Sequence, residues 1–313
     1  MEFFSKQTHF DFMGWRRVAV GVSVVLMLAS IALLATRGLN YALDFTGGSL
    51  VEVEFAEPAL IGEVRAALEA GGLEGALVQG LGGAREVAIR LPPTGETAAE
   101  KDRVSNQVRA ALSKEFPGVN VKPSDFVGPQ VGAELRTQGI VAAIFVIIGI
   151  VVYIGMRFEW RFAVASIAAE FHDTLLTLGF LALTQRDFDL TALAAVLSVI
   201  GYSINDKVVV FDRVREIFRG AHKLDPEGVI NKAVNSTLSR TIMTGITTGL
   251  AVGSLYFFGG PAVEGFGIIM IAGILIGTLS SIFFANPILY WLGVTKKDLI
   301  KVTREDPELL RRP

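Results

Sequence analysis

An acidic residue inside an apolar run is the feature of this sequence that most strongly suggests chemistry. Residues 198–216, SVIGYSINDKVVVFDRVRE, end an apolar segment that contains Asp206. A carboxylate in hydrocarbon costs several kcal/mol, about 2.5–3.5 for Asp at a helix centre, so such residues mark ion or proton pathways. Asp206 is therefore a candidate proton carrier, and Ser203, Asn205 and Lys207 are the polar residues beside it.

A basic residue in the next apolar run reaches nearly the same depth as Asp206. Asp206 lies 16 residues after position 190, and Arg240 lies 18 residues before position 258. At about 1.5 Å per residue these distances are roughly 24 and 27 Å from the same membrane surface. An ion pair would lower the cost of both charges and would break when Asp206 takes a proton, as a proton relay requires. The simpler alternatives are a static ion pair and an Arg240 side chain that extends to the cytoplasmic interface.

A third group of polar residues lies in the apolar run 162–184. Asp173 is 11 residues into this run, close to the middle of the membrane, and Glu170 precedes it by three residues. Residues three apart share a helix face, so the two carboxylates must face protein or water. His172 is adjacent in sequence and points about 100° away, so a neutral His172 bonded to another helix is its simpler interpretation. Because Asp173 is deepest, it ranks above Glu170 and His172 as a proton carrier.

Small residues recur at a spacing of four in the last two apolar runs. They are Gly245, Gly249 and Gly253 in one run, and Gly273 and Gly277 in the next. This spacing lets helix backbones approach closely in a membrane. Ordinary packing within the chain is the simpler explanation, and a seam against a partner protein is the alternative.

Composition identifies an integral membrane protein. The 313 residues are 51% hydrophobic, with a mean hydropathy of +0.49, which is more apolar than a soluble domain of this length. The net charge of −2 provides no bulk basic field for nucleic acid. The absence of cysteine excludes disulfides and thiol chemistry, and the three histidines lack metal-ligand spacing. We expect no metal and no cofactor other than the proton, and no motif of an enzyme is evident.

Six apolar runs are long enough to cross a membrane. The short loops after the second and fourth runs, both ends of the chain and Arg16-Arg17 hold most of the loop lysines and arginines, so these parts are predicted to be cytoplasmic. The first run exceeds the length of a cleavable signal peptide, so we interpret it as a retained span. The predicted organisation is a cytoplasmic N-terminus at 1–17, a first span at 18–37, a periplasmic domain at 38–134, five further spans within 135–292 and a cytoplasmic tail at 293–313.

The domain at 38–134 has the pattern of a small α+β fold. Strands are predicted at 50–55, 76–79, 87–91 and 119–126, and helices at 58–70 and 97–116. This βαββαβ order is the ferredoxin-like arrangement. Thr97 with Glu100 forms a capping box at the second helix. The glycines at 80–83 suggest a hairpin turn more than a nucleotide site, and residues 212–239 between spans four and five are predicted to be a basic loop.

Several motifs together resemble the SecF family of protein-export membrane proteins, which belongs to the SecD/SecF group of RND-like transporters. The matching stretches are LDFTGGSLVEV at 43–53, the pair His172-Asp173, GYSINDKVVVFDRVRE at 201–216, TLSRT at 237–241, FGGPAVEGF at 258–266 and GTLSSIFFANP at 277–287. The resemblance covers almost the whole chain. It implies an RND-like half of six transmembrane helices with a periplasmic ferredoxin-like domain between the first two, in the bacterial inner membrane.

The resemblance also implies a function and partners. A SecF-like subunit would work with SecD beside the SecYEG channel, use the proton motive force, and promote the late stages of preprotein export, with YajC and YidC as further candidate partners. It implies that Asp206 and Arg240 belong to the proton path. Glu170 and Lys207 depart from the family pattern, and Lys207 is expected either near Asp206 or extended to the cytoplasm. Two other functions remain open: an RND-like efflux subunit for small hydrophobic molecules, which the small periplasmic domain disfavours, and a passive scaffold.

Overall fold

A computed structural model describes residues 8–80, 85–92, 100–220 and 225–295, without the side chains of residues 100, 101 and 261. The chain divides into two compact units, a helical unit of Met1–Asn40, Ile144–Arg186 and Thr191–Pro313, and an α+β unit of Tyr41–Ala143 and Asp187–Leu190.

The helices and strands follow one another in this order. In the described residues the helices are α1 Arg16–Thr36, α2 Leu43–Thr46, α3 Ile61–Ala70, α4 Glu100–Leu112, α5 Pro129–Arg157, α6 Trp160–Thr184, α7 Leu190–Gly220, α8 Pro226–Phe258, α9 Pro261–Phe283 and α10 Ala285–Trp291. The strands there are β1 Asn40–Tyr41, β2 Gly48–Glu54, β3 Leu77–Gly80, β4 Glu86–Leu91, β5 Asn120–Val121, β6 Asp125–Val127 and β7 Asp187–Phe188.

Six helical segments of the described chain are long and apolar enough to cross a membrane. They are Met13–Thr36, Pro129–Arg157, Trp160–Thr184, Leu190–Gly220, Pro226–Phe258 and Ala262–Trp291. A helix of about 20 apolar residues spans the hydrocarbon core and satisfies its own backbone hydrogen bonds there. The six predicted spans are confirmed, and the chain is a multi-pass membrane protein.

The predicted basic loop at 212–239 is wrong. Helix α7 continues to Gly220, and α8 begins at Pro226, where Asp225 caps the helix by accepting a hydrogen bond from the Gly228 amide at 3.1 Å. The charges had suggested a loop, but the apolar residues between them recur at helical spacing, as Val214 and Phe218 do. Both are buried, so the segments after span four and before span five are amphipathic helices.

The sixth span is broken near its end. Helix α9 ends at Phe283 and α10 begins at Ala285, because Pro287 has no amide hydrogen to donate to the preceding turn. The Asn286 side chain donates to the Ser281 carbonyl at 2.7 Å and satisfies a backbone acceptor at the break. This local chemistry sets the position of Phe284, which contacts the site described below.

Glycines allow close helix contacts inside the helical unit. A Cβ atom on Gly179 would collide with Ser30 of α1, and a Cβ atom on Gly273 would collide with Val199 of α7. A Cβ atom on Gly277 would lie 2.6 Å from the Ser203 hydroxyl oxygen, so α9 also lies directly against α7 at the level of the candidate site. These contacts position α6 and α7, the two helices that carry the predicted acids.

The α+β unit has the predicted βαββαβ order. Its antiparallel sheet has the strand order β3-β4-β2-β5, and β6 pairs with β2. In the β2–β4 register Val51 faces Ile89, and both are fully buried in a core with Leu68 of α3 and Val108 of α4. The predicted small α+β domain is therefore confirmed.

The largest differences from the predicted element boundaries are in the two helices of this unit and its last strand. Helix α3 begins at Ile61, three residues after Pro58, and α4 ends at Leu112 rather than at 116. The last predicted strand is two short strands, β5 and β6, because Pro123 lies between them. The proposed cap Thr97 and the turn at 81–84 lie outside the described residues.

Two consecutive glycines organise one end of the α+β unit. Gly47 ends α2 with φ 67°, and Gly48 follows with φ 115°, backbone angles that side chains rarely tolerate. A Cβ atom on Gly132 of α5 would lie 2.9 Å from the Gly47 nitrogen. The motif LDFTGGS therefore brings α2, β2 and the start of α5 into close contact.

Candidate functional site

A buried lysine joins two helices at the centre of the candidate site. Lys207 is fully buried, and its Nζ atom donates to Glu170 Oε2 at 2.6 Å and to Asp173 Oδ2 at 2.7 Å. It also donates to Ser203 Oγ, one turn earlier on α7, at 2.8 Å. Spacings of three residues on α6 and four on α7 place these groups on facing sides of the two helices. Two carboxyl groups therefore share one ammonium in the interior.

Asp173 connects this lysine to a histidine. Its Oδ2 atom also accepts a hydrogen bond from the Ser203 hydroxyl at 2.5 Å, and its Oδ1 atom lies 2.7 Å from His172 Nδ1. The His172 ring stacks on Phe284 with 4.2 Å between ring centroids. We define these five residues, Glu170, His172, Asp173, Ser203 and Lys207, as the α6–α7 network. Its atoms form a continuous chain of hydrogen bonds across the interior.

Asp206 is buried but lies outside the α6–α7 network. It is 2% exposed, and its Oδ2 atom has no hydrogen-bond partner among the described residues. Lys207 follows it in sequence but turns toward α6, and consecutive side chains on a helix point about 100° apart. The neighbouring ammonium is therefore engaged by other carboxylates, and no salt bridge to Asp206 is formed within the described part of the chain.

The predicted ion pair between Asp206 and Arg240 is not formed. No salt bridge joins the two among the described residues, and Arg240 is exposed on α8. Counting residues from a membrane surface gives the height of a side chain along its helix but not the direction in which it points. A role for Arg240 in a proton path remains a prediction.

Three further predictions about side chains are corrected. Lys207 neither pairs with Asp206 nor reaches the cytoplasm, because two acids on α6 hold it in the interior. His172 bonds Asp173 of its own helix rather than another helix, since rotation about its side-chain torsions brings the ring back toward its neighbour. Asn205 is exposed, so it does not support the carboxylate of Asp206.

The five predicted packing glycines differ in how closely they contact other helices. Gly273 and Gly277 contact α7, whereas a Cβ atom on Gly249 or Gly253 would meet nothing within 4 Å. Gly245 is intermediate, with the Tyr202 hydroxyl 3.5 Å from such an atom. Gly245, Gly249 and Gly253 line an open groove of about 530 Å³ between α8 and α9, which we call the α8–α9 groove.

A second charged cluster was missed by sequence reasoning. Asp212 of α7 accepts hydrogen bonds from Arg157 at 2.5 Å and Arg215 at 3.2 Å, and Arg215 also donates to Glu159 at 2.9 Å. These pairs hold the short connection between α5 and α6 against the extension of α7. The charges DRVRE in the motif at 201–216 could have indicated such a cluster. We assign it a structural role.

The described residues hold no group of three His, Asp or Glu side chains placed to bind a metal ion. In the α6–α7 network the carboxylate oxygens nearest one another are already occupied by the Lys207 ammonium. The arrangement is suited to holding and transferring protons along hydrogen bonds.

Comparisons with known proteins agree with this architecture. Residues 107–295 match the family model for the C-terminal region of protein export membrane proteins SecD/SecF, and residues 32–59 match the SecD/SecF GG motif. The chain is 43% identical over 298 residues to the protein translocase subunit SecF of Pseudomonas aeruginosa, covering 95% of each chain. It is 40% identical over 300 residues to the SecF subunit of Escherichia coli O157:H7, covering 95% of this chain and 92% of the relative.

Solved structures give the same result. The crystal structure of SecDF, a translocon-associated membrane protein from Thermus thermophilus, superposes with a TM-score of 0.82 at 31% identity. A second SecDF structure, in a super-membrane-facing form, superposes with a TM-score of 0.66 at 32% identity. Each match covers 92% of this chain but only 39% of the SecDF chain. The chain therefore belongs to the SecD/SecF family of protein export membrane proteins and matches its SecF members over nearly its whole length.

Proposed function

We propose that this protein is a SecF-type accessory subunit of the Sec translocase, which uses the proton motive force together with SecD to promote late stages of preprotein export. The extended identity to curated SecF subunits supports the accessory role in translocation. The role is one of transport, and no covalent reaction on a substrate is proposed. The proton is the only coupling species that we assign.

The proton-coupled part of this proposal rests on the burial and hydrogen bonding of Asp206. Its carboxyl group is buried at the end of a membrane span without a hydrogen-bond partner for Oδ2 among the described residues. Gain or loss of a proton at such a group changes a charge in a protein-lined interior, which biases how the surrounding helices pack. Because Lys207 already binds Glu170 and Asp173, it is not free to neutralise that charge.

We propose that SecD supplies the second half of the transporter. The chain spans 39% of the length of the SecDF chains that it matches, and transporter sites lie where two repeats meet. The α8–α9 groove and exposed Arg240 lie on α8 and its neighbour, with Leu250 70% exposed and Phe257 75% exposed at the groove. We propose that SecD covers the α8–α9 groove and that Arg240, about 180° around α8 from Gly249, belongs to the proton path. SecYEG, YajC, YidC and the preprotein are further proposed partners.

The proposed location is the bacterial inner membrane, with both termini in the cytoplasm and residues 38–134 in the periplasm. The distribution of Lys and Arg among the short loops supports this orientation. Single cysteines introduced at each loop and probed with an impermeant thiol reagent test it cleanly, because the chain has no native cysteine.

The function is tested by export into inverted membrane vesicles that contain the full complex. Asp206→Asn removes the titratable group while keeping its shape, so export driven by the proton gradient is expected to be lost and ATP-driven export retained. Glu216→Gln, an exposed residue on the same helix, is the matched control. If Asp206→Asn copurifies with SecD and still exports at the normal gradient-dependent rate, the protein acts as a scaffold instead.

A further inference from the structure

A separate cavity lies among α1, α6 and α9, away from the α8–α9 groove. Its volume is about 560 Å³, within the range typical of small-molecule sites. The apolar residues along its wall are Val18, Val22, Leu26, Leu176, Ile276 and Leu279. Phe10 and Trp15, both more than half exposed, also line it. The cavity therefore combines a hydrocarbon-like interior with aromatic residues of the kind found at membrane interfaces.

Two buried polar side chains line this otherwise apolar cavity without a partner. His172 is 3% exposed and Ser280 is 2% exposed. Neither His172 Nε2 nor Ser280 Oγ has a hydrogen-bond partner among the described residues. Buried side-chain polar atoms nearly always have a partner, so this pair points to a group that the described residues do not supply.

The contacts of His172 determine what that group must be. Its Nδ1 atom faces the Asp173 carboxylate, which also binds the Lys207 ammonium and accepts a hydrogen bond from Ser203. A carboxylate so engaged is an acceptor, so in a neutral imidazole the proton resides on Nδ1 and Nε2 is a bare acceptor. A ligand must therefore present a hydrogen-bond donor to Nε2. The Ser280 hydroxyl can donate to or accept from the same group.

The charged residues that line the cavity further restrict which ligands fit. The described residues that line the cavity include no Lys or Arg, and their single carboxylate is Asp11. An anionic head group would meet no cation there and would be repelled by Asp11. A hydrocarbon body with an uncharged donor fits both the wall and the two polar side chains.

We propose that this cavity binds a neutral lipid alcohol, a hydrophobic molecule with one free hydroxyl group that donates its proton to His172 Nε2. The bound hydroxyl would hold the imidazole in the orientation that bonds Asp173, and so would stabilise one end of the α6–α7 network. This inference goes beyond the export function and does not depend on it.

The proposal is tested by nitrogen-15 NMR of histidine in the full-length protein in lipid nanodiscs. The chain has only three histidines, so the His172 signal can be assigned with His172→Gln. The probe is 1-dodecanol, and its methyl ether, which lacks the donor, is the matched comparison. We expect a saturable shift of the Nε2 resonance with the alcohol, at two- to tenfold lower concentration than any effect of the ether, the range that one net hydrogen bond provides.

Variants in α1 and α9 test whether the alcohol binds in this cavity. Ala19→Trp fills the cavity, and the saturable shift is expected to disappear. Leu28→Trp places the same side chain on α1 at a position that is 61% exposed and outside the cavity, and it should leave the shift unchanged. If Ala19→Trp does not fold, Leu279→Trp serves the same purpose from α9. Equal responses to alcohol and ether, no shift at all, or a shift that survives a folded cavity-filling variant would each overturn the proposal.

Discussion

Lys207 and Asp173 form a fully buried ion pair, with 2.7 Å between Nζ and Oδ2, that links the third and fourth membrane spans. Glu170 shares the same ammonium at 2.6 Å. Charges in the membrane interior are stable only when paired or facing water. In this chain the lysine compensates the acids of α6 and makes no salt bridge with Asp206, its neighbour in sequence.

Removal of Lys207 is predicted to destabilise the protein strongly. Lys207→Met leaves Glu170 and Asp173 buried beside each other without their cation, and breaking such a pair costs about 3–5 kcal/mol. The expected result is a large fall in the unfolding midpoint in detergent. The triple variant Lys207→Met, Glu170→Gln, Asp173→Asn removes all three charges and should recover most of the loss. A triple variant no more stable than the single one would show that the pairing is not the cause.

The stability contributed by the exposed pair of Lys122 and Glu52 is predicted to depend on pH. The two lie 2.9 Å apart, each more than two-fifths exposed, and the hydrogen bond that Lys122 donates to the Glu52 carboxylate raises the pKa of Lys122. The pair therefore contributes below the ordinary Lys pKa of about 10.4 and is lost as pH rises through the higher folded value. Glu52→Gln should flatten the decline in stability above pH about 10, and high salt should reduce the difference. An unchanged alkaline profile in low salt contradicts this assignment.

Acid is predicted to loosen the segment before α1. A hydrogen bond from the Asn231 side chain and one from the Gly14 amide lower the pKa of Asp11. Its contribution is complete above the ordinary Asp pKa of about 3.9 and is lost as pH falls through the lower folded value. Amide protection at Met13, which donates to Asn231 at 3.0 Å, should fall below that pH in the native chain. In Asp11→Asn the acid-dependent step should be absent, and its persistence would assign the step to another group.

Substitution of glycine by valine is predicted to have different effects on the stability of the isolated chain at two positions. A side chain at Gly277 would collide with Ser203 and disturb its bonds to Asp173 and Lys207, so Gly277→Val should destabilise the isolated chain by about 1–3 kcal/mol. Gly249 faces open space, so Gly249→Val should leave the isolated chain unchanged and weaken copurification with SecD. Gly149→Val, also in open space but on α5, is the control for assembly. Normal assembly of Gly249→Val would remove the α8–α9 groove from the proposed interface.

Sequence patterns predicted the features that depend on period and length. The six spans, the βαββαβ order and the shared face of Glu170 and Asp173 follow from apolar runs, alternation and i,i+3 spacing. The motif residues Gly47 and Gly48 were found by resemblance, and their positive φ angles supply the physical reason for glycine there.

The features that were missed depend on direction and on neighbours distant in sequence. Depth along a helix placed Asp206 and Arg240 at one level. The direction in which each side chain points around its helix axis depends on how α7 and α8 pack. The engagement of Lys207 by α6 required the knowledge that α6 and α7 adjoin, which no local pattern gives. His172 and Ser280, which line one cavity from different helices, could not be associated for the same reason.

Proton flux through the reconstituted complex is the direct test of Asp206 as the proton-binding carboxylate. Proteoliposomes containing this protein with SecD, SecYEG and a preprotein in transit would carry a pH-sensitive dye, and Asp206→Asn would be compared with Glu216→Gln at equal assembly. We expect Asp206→Asn to lower the gradient-driven flux at least tenfold and Glu216→Gln to leave it intact. An undiminished flux in a fully assembled Asp206→Asn complex would contradict the assignment of Asp206 as the proton-binding carboxylate.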